Sequence, residues 1–356
     1  MQLNTTLLND YCKIYVADPE YTDVDALTAY IRVHRTELMQ ELHQYGILLF
    51  RGFKLQRHYE FHELIEHHFQ LEPWHTFTPK KSGWFASFMR KYSENRAGDD
   101  RPYLNHNTMQ LGSVENSIQG PHVEGGLYST RSRYIALFCQ EPADHLLETG
   151  FNNLERIWAH FPVSSQQKYL GAWNHFSYIS TRNLNLFDRL TFNKSSFGFQ
   201  KKSNKESKLT LKRSPFVVIH PNTQKLMIQP WAFANNTNSF AHQAAQKRFK
   251  QRGKLQPDPT AHCMQLSWEL FTHEGEKIEW TDQEKQHFFE ALYHDALLLQ
   301  WQKGDVALID NIKIDHWRMN GKQGQRKLMQ IQANVFNADS VNGILKLTPF
   351  TLQMTK

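Results

Sequence analysis

The sequence contains few cysteines and no long apolar segment. Its three cysteines, Cys12, Cys139 and Cys263, lie far apart and form no CxxC pair, so neither a disulfide framework nor a thiolate zinc site is expected. The longest apolar runs span a handful of residues, as in 47–50, whereas a membrane-spanning helix needs about 20. No basic stretch followed by an apolar one opens the chain, so no signal peptide is predicted and a cytoplasmic protein is expected.

Several common catalytic signatures are also absent. The chain has no P-loop, no GxGxxG fingerprint, no HExxH zinc motif and no GxSxG nucleophile elbow. A prior of about 150 residues per domain allows two domains. However, no repeat and no Pro/Ser-rich linker divides the 356 residues, and we expect one domain over 1–356.

The positive charge is concentrated in two short segments. The net charge is +6, and segments 201–213 and 247–254 each contribute +5, which leaves −4 for the remainder. Phe249 is the only aromatic residue in either segment, so the aromatic interleaving of a base-stacking surface is missing. Solvated loops are the expected interpretation, with no nucleic-acid or membrane partner. A non-catalytic polyanion-binding protein is the alternative.

The hydrophobic pattern predicts helices near the N-terminus and strands afterwards. The predicted helices cover 24–45, 57–69, 153–161 and a stretch from a capping box at 281–284 to about 297. The predicted strands cover 46–50, 134–139, 216–220, 226–229, 306–310 and 327–336. Segment 77–125 is predicted to be loop. The fold class is therefore a β-rich α+β domain.

A His-x-Asp/Glu triplet on a strand can supply two metal ligands, because residues i and i+2 point to the same face. With 19 histidines and 35 acidic residues, such triplets also arise by chance. Triplet 58–60 lies in a predicted helix, where the two side chains diverge. His122-Val-Glu124 lies between glycine-containing turns and before a strand. His122 and Glu124 are therefore candidate ligands, with an ordinary loop or core histidine as the alternative.

The C-terminal quarter offers a third ligand. Ile312, Ile314 and His316 recur with period two, which places His316 on the inward face of a strand. Two histidines and a carboxylate form the triad that binds Fe(II) and leaves coordination positions open. Arg326 precedes the next predicted strand and could form a bidentate pair with a carboxylate. Taken alone, these residues are better explained as a buried, hydrogen-bonded histidine and a surface arginine.

Nine segments follow one another in the order of a known family. They are Gly46-Ile-Leu-Leu-Phe-Arg-Gly-Phe53, His122-Val-Glu124, Leu137-Phe-Cys139, Pro142-Ala143, Leu147-Glu-Thr149, His220-Pro-Asn-Thr-Gln-Lys225, 304–311, His316 and Arg326. Over about 45–336 the chain resembles the taurine dioxygenase/clavaminate synthase-like family of Fe(II)- and 2-oxoglutarate-dependent oxygenases. It is most similar to the branch that acts in amino-acid and peptide natural-product pathways.

The resemblance implies a double-stranded β-helix (jelly-roll) core with flanking helices. It implies that His122, Glu124 and His316 bind iron, that Arg326 holds the distal carboxylate of 2-oxoglutarate, and that Thr149 donates a hydrogen bond to it. O2 would be the co-substrate. The expected reaction is hydroxylation of an unactivated C–H in a free, peptidyl or carrier-tethered amino acid, with desaturation or cyclisation as the alternative. Related halogenases replace the acidic ligand, so Glu124 favours oxygenation.

The chain departs from the family pattern at three places. Leu146-Leu147 stands where the family has two glycines. Asn152 or Asn153 stands where it has an acid, and Gln330 where it often has a second arginine. These departures leave the triad intact, which speaks against a degenerate member that only binds a ligand.

The resemblance is weakest around 182–213, which is interpreted as a basic insertion. Segments 77–110 and 182–213 are candidate lids, since long loops often carry specificity. Asn105-His106-Asn107 is a candidate substrate contact, with a solvated loop as the alternative.

Overall fold

The computed structural model describes residues 3–74, 103–105, 107–111, 118–180, 197–201, 207–211, 213–249, 266–322 and 324–339. The helices are α1 (Val24–Tyr45), α2 (His58–Glu63) with a π-helical continuation (Leu64–His68), α3 (Leu154–His160), α4 (Val163–Tyr169), α5 (Asn238–Phe249) and α6 (Asp282–Leu292). The first ten strands are β1 (Asn4–Leu8), β2 (Cys12–Val16), β3 (Ile47–Arg51), β4 (Thr108–Gln110), β5 (Gln119–His122), β6 (Thr130–Glu141), β7 (His145–Leu146), β8 (Thr149–Asn153), β9 (Trp173–Ser180) and β10 (Phe197–Lys201). The others are β11 (Ser207–Leu211), β12 (Ser214–Pro215), β13 (Val217–Ile219), β14 (Leu226–Ile228), β15 (Leu266–Phe271), β16 (Leu297–Leu299), β17 (Val306–Asp310), β18 (Ile314–Arg318), β19 (Gly321–Lys322) and β20 (Lys327–Asn337). None of the helices in the described part of the chain combines the length and the apolar composition of a membrane span.

Two sheets pack against each other through a shared apolar layer. The seven-stranded sheet has the order β1-β2-β3-β17-β6-β20-β4, and the four-stranded sheet has the order β16-β8-β18-β5. Ile135 and Ala307 enter the layer from the first sheet, and Phe151 and Ile314 enter it from the second. The fold is thus mixed α/β with several sheets, as the hydrophobic pattern predicts.

Helix α1 covers the outer face of the seven-stranded sheet. Its apolar stripe, which includes Leu27 and Leu42, packs in one cluster with Phe50 of β3. Asp23 caps its start by accepting a hydrogen bond from the Ala26 N–H, and Gly46 ends it with a φ of 101°. The predicted helix 24–45 and the strand that follows it are confirmed.

Two regions differ from the predictions. The capping box at Thr281 is present, but α6 ends at Leu292 rather than near 297, because Leu297 is needed in β16, where it pairs with Phe151. Segment 77–125 contains β4 and β5, and its remaining part up to residue 117 lies largely outside the described residues.

The predicted basic insertion contributes strands where it is described. Strands β10 and β11 pair with each other, and β11 pairs with β9 in a third sheet. The rest of 182–213 lies outside the described residues.

Candidate metal centre

His122 and His316 face each other across two neighbouring strands. They are directly opposite in the antiparallel pairing of β5 with β18, and opposite residues of such a pair point to the same face. Their ring centroids are 4.5 Å apart. Glu124 follows just after β5, and its Oε2 lies 3.6 Å from Nε2 of His316. The structure therefore brings the three predicted ligands together, with donor atoms within 4.8 Å of one another.

The His122 ring is held in one orientation. Its Nδ1 lies 2.9 Å from the carbonyl oxygen of Gly120, so an Nδ1–H donor leaves the lone pair on Nε2, as in most metal-binding histidines. Trp231 and Phe233 pack against the ring, with centroids 5.0 and 5.8 Å away. Gly120 is required here because an added Cβ would lie 2.4 Å from the carbonyl oxygen of Ala232.

Two glutamines and an asparagine position Glu124. Gln330 Nε2 donates to Oε2 at 3.1 Å, and Gln332 Nε2 donates to Oε1 at 3.2 Å. Asn311 accepts a hydrogen bond from the Glu124 N–H and donates one to its carbonyl oxygen, both at 2.9 Å. Asn311 closes the ordered motif 304–311 and Gln330 is one of the departures from the family pattern, but their contacts with Glu124 were not predicted, and Gln332 lies outside the motifs. The period-two pattern of β20 nevertheless places both glutamines on one strand face.

A buried ionic cluster supports the turn that carries Asn311. Asp310 Oδ2 accepts hydrogen bonds from Arg133 at 3.0 Å and from His220 at 2.8 Å. Burial alone would raise the pKa of Asp310, but Arg133 and His220 outweigh it and hold that pKa well below its usual range. The contact with Asp310 gives His220, the first residue of the motif 220–225, a structural role beside the motif 304–311.

Thr149 lies beside the strand that carries His316. It is opposite Arg318 in the pairing of β8 with β18, and its side chain is buried. Trp301 Nε1 donates to Thr149 Oγ1 at 2.7 Å. Because indole is only a donor, the hydroxyl proton of Thr149 remains available for an acceptor. Arg318, two residues after His316, points to the same face of β18, a position that the motifs did not single out.

Arg326 is a buried cation immediately before β20. Its side chain is 8% exposed, and burial lowers its pKa to about 10, with the Cys139 thiol acting in the opposite direction. Among the described residues, no carboxylate contributes to that shift. A buried charge is costly without a counter-charge, so the donor set at this position fits a carboxylate ligand.

The family model described as "Taurine catabolism dioxygenase TauD, TfdA family" matches residues 15–332. The chain belongs to the TauD/TfdA family. It is a dioxygenase whose cofactors are Fe(II) and 2-oxoglutarate, with O2 as co-substrate. The His-Glu-His group agrees with the ligand chemistry of such iron sites. The family predicted from the ordered motifs is therefore confirmed.

Two solved structures share the fold over most of the chain. One is PvcB, an Fe, alpha-ketoglutarate dependent oxygenase from an isonitrile synthetic pathway, which is 12% identical over 93% of this chain and 92% of its own length, with a TM-score of 0.53. The other, from Burkholderia xenovorans, is assigned to the alpha-ketoglutarate-dependent taurine dioxygenases. It is 11% identical over 95% of this chain and 96% of its own length, with a TM-score of 0.52. A sequence search of curated proteins gave no significant match.

The departures from the TauD/TfdA pattern have structural counterparts. Leu146 and Leu147 adopt left-handed φ angles of 54° and 61°, a conformation that glycine adopts without strain. Asn152 donates a hydrogen bond of 2.8 Å to the buried Asp315, and burial raises the pKa of Asp315 well above its usual range. Asn153 caps α3 by accepting from its first backbone N–H groups.

The candidate substrate contact at 105–107 has other partners where it is described. Asn107 donates to Glu66 at 2.9 Å, and Asn105 accepts from the backbone N–H groups of Asn107 and Thr108. These contacts hold the turn before β4. His106 lies outside the described residues.

Proposed function

We propose that His122, Glu124 and His316 bind Fe(II), and that Arg326 and Thr149 bind 2-oxoglutarate. The convergence of the three donor groups within 4.8 Å carries the proposal. When bound, the iron and the keto acid supply the activation of O2 for attack on a C–H bond.

The chain's own residues hold and orient this site. His122 presents Nε2 because its other ring nitrogen is engaged with the Gly120 carbonyl. The Glu124 carboxylate is oriented by Gln330 and Gln332. The buried Arg326 guanidinium supplies the counter-charge for a distal carboxylate, and Thr149 supplies a hydroxyl donor.

We infer that the reaction is hydroxylation of an unactivated C–H in an amino acid that is free, peptidyl or carrier-tethered. The ordered motifs support this substrate class, since they resemble the natural-product branch of the family. The fold shared with PvcB, an oxygenase from an isonitrile synthetic pathway, agrees with it. The retained acidic ligand favours oxygenation over halogenation. Desaturation and cyclisation would use the same site.

We further propose that the two facing sheets form the double-stranded β-helix and that 1–356 is one domain. The shared apolar layer supports the first point, because both sheets contribute to it. The length of the family match, 15–332, supports the second.

The test is anaerobic addition of Fe(II) and 2-oxoglutarate, followed by visible absorption. The wild-type protein should develop a weak charge-transfer band that is lost in His122→Ala and in His316→Ala. His67→Ala is the matched control, because His67 pairs with Glu63 on the surface at 3.6 Å. A band that persists in both triad variants would contradict the assignment.

The substrate class is tested by succinate release with pools of free amino acids, peptides and carrier-tethered amino acids. Hydroxylation predicts a product heavier by one oxygen, whereas desaturation predicts the loss of two hydrogens. If the protein instead only binds polyanions, its affinity for a polyanion should fall with salt concentration and no succinate should be released. Lys247 of the second basic segment is already paired with Glu290 at 2.7 Å, which leaves less charge for such binding.

A further inference from the structure

A second group of metal-ligating side chains lies on the surface, outside the site of His122 and His316. His160, His294 and Asp295 each offer a donor atom, and these atoms lie within 4.8 Å of one another. The two imidazole centroids are 4.8 Å apart. His160 ends α3, and the other two residues form the turn between α6 and β16.

Hydrogen bonds prepare both imidazoles for metal binding. Nδ1 of His160 lies 2.7 Å from the carbonyl oxygen of Arg156. Nδ1 of His294 lies 2.7 Å from Oδ1 of Asp295. An Nδ1–H donor in each ring leaves the lone pair on Nε2 and fixes the orientation of the ring. Neutral imidazole with a free nitrogen is the form that binds metals.

The group is both accessible and anchored. The two histidines are exposed and Asp295 is half-buried, so a hydrated ion reaches the donors without any opening of the fold. The Tyr11 hydroxyl lies 2.8 Å from the carbonyl oxygen of Asp295 and 2.9 Å from that of Phe151. Arg248 donates to the carbonyl oxygen of His294 at 3.3 Å. The positive charge of Arg248 disfavours binding of a cation nearby. The Asp295 carboxylate offsets that charge.

We propose that Nε2 of His160 and Nε2 of His294 bind a divalent transition metal ion such as Zn²⁺, with water completing the coordination. The Asp295 carboxylate orients the His294 ring through Nδ1, and imidazole is a ligand that this class of ion accepts. The ion would join α3 to the turn before β16. Helix α3 directly follows β8, and β8 pairs with β16. The metal would therefore clamp this strand pair at the end where β8 leads into α3, and Thr149 lies at the other end of β8. Binding to the folded state alone raises its stability.

The test is calorimetric titration with Zn²⁺ and thermal unfolding with and without Zn²⁺. Both are performed on His122→Ala/His316→Ala, so that the iron ligands do not contribute. This protein should bind one Zn²⁺ and unfold at a higher temperature with it. Adding His160→Ala and His294→Ala should abolish both effects, whereas adding His34→Ala should not. His34 is the matched control because it pairs with Glu37 at 2.9 Å as a single surface imidazole.

Equal Zn²⁺ stoichiometry with and without the two histidines would overturn the proposal, as would a failure of the parent protein to bind Zn²⁺. Asp295→Asn distinguishes a weakened site from a misfolded protein. It should unfold at the parent temperature without metal and bind Zn²⁺ roughly 10-fold more weakly. Unchanged affinity in that variant would exclude Asp295 from the site.

Discussion

The Gln330 side chain donates a hydrogen bond to Glu124, with 3.1 Å between Nε2 and Oε2. Gln332, on the same face of β20, donates to the other carboxylate oxygen. These glutamines belong to the seven-stranded sheet, whereas His122 and His316 belong to the four-stranded sheet. The orientation of the carboxylate therefore depends on how the two sheets pack against each other.

Replacing both glutamines should weaken iron binding. In Gln330→Leu/Gln332→Leu the carboxylate loses both donors, and loss of such outer contacts typically costs 10–100-fold in metal affinity. Anaerobic Fe(II) titration measures the change. Gln140→Leu is the control, because that amide donates to the carbonyl oxygen of Gln56. Equal Fe(II) affinity in the double variant and the wild type would mean that the glutamines do not position the ligand.

Arg326→Ala should weaken 2-oxoglutarate binding much more than Fe(II) binding. The substitution removes a buried guanidinium, and a charge-assisted pair with a carboxylate is among the stronger hydrogen bonds. We expect a loss of at least about tenfold, with partial recovery in Arg326→Lys, which keeps the charge but not the fork. Titration of the charge-transfer band measures both affinities. If Arg326→Ala retains wild-type 2-oxoglutarate affinity, the assigned role is wrong.

Leu146 and Leu147 both adopt left-handed φ angles, but replacement by glycine should change protein stability in opposite directions at the two positions. Leu146→Gly relieves backbone strain, which is of order 1–3 kcal/mol, at a partly exposed position. Leu147→Gly relieves similar strain but removes a side chain that is 1% exposed, and emptying such a site costs about 2–5 kcal/mol. Urea unfolding should show Leu146→Gly as neutral or stabilising and Leu147→Gly as destabilising. The reverse order would show that strain is not the governing factor.

Gly150→Ala should disturb the strand pair that carries His316. An added Cβ would lie 1.9 Å from Cε2 of Trp317, and overpacking of a core typically costs about 1–3 kcal/mol. Because Trp317 adjoins His316, Fe(II) affinity should fall together with the unfolding temperature. Val33→Ala is the control, since that side chain is 78% exposed on α1. A Gly150→Ala protein as stable as this control would contradict the predicted overlap.

His43 should make the folded state less stable as the pH falls from about 6.5 to 4. Burial lowers the pKa of His43 to about 4, although Asp310 opposes the shift. Between the two pKa values the unfolded chain binds a proton that the folded chain excludes, so the free energy of unfolding decreases as the pH falls.

Denaturant unfolding at several pH values measures this slope. His43→Gln should flatten it over that window while retaining a hydrogen-bonding group opposite the Tyr134 hydroxyl, which lies 2.8 Å from the histidine. His34→Gln, at an accessible position of the same helix, should keep the wild-type slope. Equal slopes in wild type and His43→Gln would refute the prediction.

Local pattern was sufficient for elements whose stabilising contacts lie close in sequence. The four-residue spacing of Leu27 and Ile31 predicts α1, and the Thr281 box predicts the start of α6. The predicted end of α6 near residue 297 was wrong, because Leu297 pairs with Phe151 of β8, a contact between residues far apart in the sequence. The contacts of Gln330 and Gln332 with Glu124 were not predicted, because a glutamine on a strand has no distinctive ligand chemistry until its partner is known.

By itself, the sequence determined the family, the chemical types of the three predicted iron ligands and the two basic segments. Only the tertiary structure decided that His316 stands opposite His122, because strand register depends on which strands pair. It also decided that Arg326 is buried without a described counter-charge, and that His160 approaches His294. These relationships arise from packing between segments distant in the chain, which no local spacing encodes.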